Sequence, residues 1–128
     1  MNLLVLGEGI RVREGLREHI ARRLSFSLTR FGPAIVRIDV RVGDANGPRG
    51  GVDKYCRITV RLKASGSIVI EAREDDLYAA VAYAAERVGR TVARALDRRR
   101  DARGNRRHRN STEQDGREVV DRLYHESD

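Results

Sequence analysis

The chain has 128 residues, 26 lysines and arginines against 19 acidic residues, a formal net charge of +7, and one cysteine. That length suits one domain with its own core, and a lone cysteine excludes an intrachain disulfide or a cysteine-rich zinc site. Met1 leads directly into an apolar run with neither a basic segment before it nor a long hydrophobic stretch after it. No signal peptide or anchoring helix is expected, and the chain reads as cytoplasmic.

Asn2 to Leu6 are predominantly apolar and stop at Gly7-Glu8-Gly9, the pattern of a short buried strand and a turn. From Arg13 to Phe31, residues Leu16, Ile20, Leu24, Leu28 and Phe31 recur every three or four positions. Arg17, Arg22, Arg23 and Arg30 take the other faces, so the segment predicts an amphipathic helix ended by Gly32-Pro33. Next, Ile38, Val40 and Val42 alternate with Arg37, Asp39 and Arg41, as in a strand with one buried and one wet face.

The polar, glycine-rich stretch Gly43 to Gly51 reads as a loop. Beyond it Cys56, Ile58, Val60 and Leu62 point one way, and Tyr55, Arg57, Thr59, Arg61 and Lys63 the other. Ala64 to Ser67 predicts a turn into a further strand, Ile68 to Ala72. Asp75 or Asp76 can cap the last helix, whose buried stripe is Leu77, Val81, Ala84, Val88, Val92 and Leu96. That helix should fade between Asp101 and Gly104.

The order strand, helix, three strands, helix defines an α+β fold, β-α-β-β-β-α, a four-stranded sheet with two helices packed on one face. It is similar to a double-stranded RNA-binding fold with an extra N-terminal strand. The open face, with Arg37, Arg41, Arg57, Arg61 and Lys63, should be basic. Residues 1–102 are expected to form the domain, and 103–128 a basic then acidic tail without fixed structure. Residues 111–128 hold six acidic residues and two arginines, so the rest carries 24 basic against 13 acidic residues, a surplus of 11. Such an excess calls for a polyanionic partner, and nucleic acid fits better than a membrane.

Arg87, Arg90, Arg94 and Arg98 follow one another in steps of three, four and four, which aligns them along one side of a helix where phosphates can be gripped. The same residues would otherwise be a solvated helix face. Only Glu86, Asp97 and Asp101 stand among the ten arginines between Ala84 and Asn110, which favours RNA. Arg17, Arg22 and Arg23 are further candidates. Arg49, among Gly47, Pro48, Gly50 and Gly51, could join free amides in holding a phosphate, or simply sit in a flexible hairpin.

Other chemistry finds little support. Cys56 shares a face with Ile58 and Val60 and reads as core. Tyr78, beside a helix start, reads as packing against the sheet, and His19, His108 and His125 lack metal-ligand spacing. No nucleophile, base and orienting group can be assembled. No enzyme, cofactor, metal or small-molecule substrate is expected.

Glu71-Ala72-Arg73-Glu74-Asp75-Asp76-Leu77-Tyr78-Ala79-Ala80-Val81 resembles the Ala-x-x-x-Asp-Met-Tyr-Ala-Ala-Ile signature of the ribosome hibernation-promoting factors, also called ribosome-associated inhibitors or sigma-54 modulation proteins. Without a gap, the family's following Asp-Lys-Leu-Glu-Arg-Gln-Leu-x-Lys falls on Glu86 to Arg94, keeping Arg87, Arg90 and Arg94 basic. Val12 to Ile20 is similar to the start of the family's first helix. The resemblance spans about residues 1–100 and is to the short form, without the dimerising C-terminal domain of long members.

It implies the fold just given, and binding to the small ribosomal subunit through 16S rRNA, occluding the channel of messenger and transfer RNA. Two departures stand out: Arg13 occupies a position where the family has a capping Ser or Thr, and Gly89 interrupts the second helix. A general RNA-binding module and a protein-binding regulator of a transcription complex are the alternatives. Against the former, Glu74, Asp75 and Asp76 stand where double-stranded RNA-binding domains place lysines.

Overall fold

Alternating branched residues build the centre of the molecule. The computed structural model describes residues 2–45, 54–64 and 66–104. The chain runs through β1 (Leu3–Glu8), α1 (Glu14–Leu28), a 3-10 segment (Thr29–Ala34), β2 (Ile35–Asp44), β3 (Lys54–Leu62), β4 (Gly66–Glu74) and α2 (Leu77–Gly104). The strands form one sheet in the order β1-β2-β3-β4. β1 lies parallel to β2, and the other neighbours are antiparallel.

The inner face of the sheet, formed by Ile38, Val40, Val42, Cys56, Ile58, Val60, Ile68 and Ile70, makes one buried cluster with Leu16, Ile20 and Leu24 of α1 and Val81, Ala84, Val88 and Val92 of α2. Both helices therefore cover one face, as expected. Period two in the strands and period 3.6 in the helices both serve this single core.

Three local differences from the sequence reading have physical causes. β1 is not a buried strand: Val5 alone is buried in it, while Leu3, Leu4 and Leu6 are 36%, 51% and 46% exposed. It lies at the sheet edge, and Leu4 and Leu6, beside Asp39 and Arg41, fall on the outer face that the helices leave uncovered. The strand also continues through Gly7, where a Cβ would stand 2.5 Å from the Ile10 carbonyl oxygen, and the chain turns at Gly9 with φ 72°.

The first helix stops at Leu28, earlier than Gly32-Pro33, and a 3-10 segment containing Pro33 carries the chain into β2. A bulge at Val36 shifts the register between Ile35 and Arg37, so that Ile35 and Ile38 both reach the core although three residues apart.

Finally, Gly43 and Asp44 belong to β2 rather than to the following loop, pairing with Tyr55 and Lys54. A Cβ on Gly43 would lie 2.7 Å from the Tyr55 ring and 2.6 Å from the Glu8 carbonyl oxygen. The glycine lets the Tyr55 ring cross β2 and donate its hydroxyl hydrogen bond to the Glu8 carboxylate on β1.

The helix starts differ as their sequences require. Asp76 accepts from the Ala79 amide at 3.1 Å, the predicted cap of α2. Arg13, at the same position of α1, is extended (φ −85°, ψ 168°) and makes no side-chain cap. Where the helices meet, a Cβ on Gly89 would be 3.1 Å from Ser27 Cβ and 3.2 Å from its carbonyl oxygen. This glycine marks a close helix crossing.

Candidate nucleic-acid interface

Gly89 against Ser27 and the Tyr78 ring against His19 (centroids 4.6 Å apart) define the side of α2 that faces α1. Tyr78 thus packs against α1 and not, as expected from the sequence, against the sheet, and it remains 46% exposed. At 3.6 residues per turn, Arg87, Arg94 and Arg98 fall within about 40° of one another on the opposite flank, and Arg90 lies about 40° further toward solvent. Arg87 is half-buried, its Nη1 donating to the Glu71 carbonyl oxygen at 3.3 Å, which ties the row to the β4 edge. Arg94 is exposed, with Nη2 3.5 Å from Thr91 Oγ1. Arg90 pairs with Glu86 at 2.9 Å, and both side chains are more than 60% exposed. Arg98 has no ion-pair partner among the described residues. One exposed pair in four arginines leaves the flank strongly positive, since such a pair binds by less than about 1 kcal/mol and yields readily to a competing anion.

The α1 candidates do not share one line. Arg23 lies four residues from both His19 and Ser27 and so borders the α2-facing side, whereas exposed Arg17 and Arg22 point to other sides of the helix. Arg49 lies outside the described residues. Two aromatics escaped the sequence reading: Phe26, 93% exposed, follows Arg22 by one turn, and Tyr83, 58% exposed, precedes Arg87 by one turn. Their only sequence signal is four-residue spacing from an arginine.

On the sheet's outer face, Arg37, Arg41, Arg57 and Arg61 are present as expected, joined by Arg73. Lys63 is not with them: it lines a groove on the helix side with Ala34, Leu62, Leu96, Arg99 and Arg100, because the chain turns after Leu62. Glu71 on the outer face is buried, one carboxylate oxygen held by Arg57 at 2.9 Å and the other by Arg73 at 3.0 Å.

Cys56 is fully buried, and burial first, then the Glu71 charge, pushes its thiol up to about 12. A thiol so hard to ionise is no nucleophile. No group of His, Cys, Asp or Glu among the described residues is arranged to hold a metal. No described helix is long and apolar enough to cross a membrane.

The described residues thus form a basic α+β domain with an arginine-lined helix flank. Residues 4–100 match the family described as Sigma 54 modulation protein / S30EA ribosomal protein, and the chain belongs to that family. Its members are ribosome-associated binding proteins and not enzymes. Among solved structures, a ribosomal subunit interface protein from Coxiella burnetii aligns with TM-score 0.64 at 20% identity, over 76% of this chain and 99% of its own. The N-terminal domain of Protein Y from Thermus thermophilus aligns with TM-score 0.60 at 25% identity, over 73% and 98%. No curated protein matches the chain.

Proposed function

We propose that this chain is a cytoplasmic hibernation factor that binds the small ribosomal subunit through 16S rRNA and inhibits translation by occupying the channel of messenger and transfer RNA. The observation carrying this reading is the α2 flank, where Arg87, Arg90, Arg94 and Arg98 have a single carboxylate partner, Glu86, among the described residues. Guanidinium groups bind phosphate through paired N–H donors, and exposed aromatics beside them stack on unpaired bases, the role assigned here to Phe26 and Tyr83. Arg17, Arg22 and Arg23 extend the basic surface onto α1. Residues 1–102 form the binding unit in this reading, and inhibition needs occupancy alone.

Family membership favours the ribosome over RNA in general, and α2 is preceded by Glu74 at the end of β4, Asp75 and the capping Asp76, which would repel a duplex at that helix start. The test is co-sedimentation of the full chain with separated small and large subunits in the presence of a structured competitor RNA. Saturable binding to the small subunit that survives the competitor is expected. Equal, easily competed binding to all RNAs would reduce the chain to a generic basic domain.

A further inference from the structure

The sheet's outer face holds an arrangement that the fold does not need. Across β2 and β3, Arg37 stands directly opposite Arg61, and Arg41 directly opposite Arg57. Like charges at directly opposed positions of an antiparallel pair oppose folding, and two such rungs lie about 13 Å apart along the strands. Local carboxylates compensate only in part. Arg37 has Asp39 at 3.2 Å, and Arg41 has Glu8 at 3.8 Å. Arg57 and Arg73 share the one buried carboxylate of Glu71. Arg61 has no ion-pair partner among the described residues.

Among the described residues, five arginines therefore face three carboxylates. The Arg37, Arg41, Arg57 and Arg73 side chains remain 55%, 50%, 37% and 51% exposed. Glu71 does more than neutralise: by taking Nε of both Arg57 and Arg73 it fixes the two guanidinium planes. Fixed forks lose less freedom on binding than free side chains do.

We propose that this face is a second RNA-backbone contact, distinct from the α2 flank, so that the domain is held between two segments of RNA. The proposal rests on the ribosome-binding reading above and deepens it. The helices cover the inner side of the sheet, so the two basic surfaces look in different directions. A phosphate backbone is the partner that fits opposed arginine rungs, because each anion placed between two guanidinium groups removes a repulsion the fold otherwise carries.

The experiment places a tethered iron chelate for hydroxyl-radical cleavage at Ser67→Cys, on the outer face opposite Arg61, or at Asp97→Cys, exposed on α2. The buried native Cys56 serves as the unlabelled control. In complexes of the full chain with the small subunit, both probes should cut 16S rRNA at separate nucleotides. The double variant Arg37→Gln with Arg61→Gln, read by co-sedimentation, should lower the slope of log affinity against log salt by about 1–2 units. Cleavage from the Asp97 site alone, with the double variant binding like the native chain, would overturn the second contact and leave the ribosome reading standing. Failure of the unmodified chain to sediment with the subunit would overturn both.

Discussion

Tyr55 lies across Gly43 and donates to Glu8, so one side chain on β3 ties down both β2 and β1. Burial, then the hydrogen bond to Glu8, pushes its hydroxyl from 10.0 up to about 12, and burial likewise lifts the Cys56 thiol from 9.0 to about 12. In both, the folded chain keeps a proton that the unfolded chain releases. The stability they contribute is complete below pH 9 and drains away as pH rises from 9 toward 12. The urea midpoint should fall across that window, and Tyr55→Phe should flatten the part above pH 10 while costing about 1 kcal/mol at neutral pH. A native midpoint unchanged to pH 12 would contradict this. The Tyr55 role was not legible in the sequence, where Tyr55 reads only as a wet-face residue and Gly43 as loop. What joins them is cross-strand register, which no local pattern encodes.

The two helices begin with unequal caps, and their stability should respond in opposite directions. Asp76→Ala removes the bond to the Ala79 amide and should cost about 1 kcal/mol; Arg13→Ser supplies a cap that α1 lacks and should add a similar amount, both measured by urea unfolding. No change in either would mean that tertiary packing alone sets these helix starts. At the helix crossing, Gly89→Val brings a branched side chain against Ser27 and should destabilise by about 1–3 kcal/mol. A neutral result would show that α1 can move aside freely. The Asp76 cap, the missing cap at Arg13 and the odd glycine were visible as sequence features, because a cap is a local event. Why a glycine interrupts the second helix at position 89 was not legible in the sequence, and the position of Ser27 answers that. β1 was misread as buried because an apolar run records hydrophobicity and not the number of layers covering it.

For the molecule as a whole, pattern was enough to give the β-α-β-β-β-α order and the shared core, since β2, β3 and both helices each show their own buried side. The arginine row was equally plain from spacing. Spacing did not show that Arg87 is partly engaged by β4, that Phe26 and Tyr83 stand exposed beside the arginines, or that Glu71 clamps two arginines on the other face. Those depend on contacts between elements distant in sequence. The resulting domain is basic on more than one side, and its binding should be governed by salt. The decisive measurement is the salt dependence of small-subunit binding by the variant Arg87→Ala, Arg90→Ala, Arg94→Ala beside the native chain, with circular dichroism to verify the fold. An intact fold, weaker binding and a slope shallower by about 2–3 units are predicted. Unchanged affinity and slope in the folded variant would contradict the assignment of the α2 flank as the RNA-binding surface.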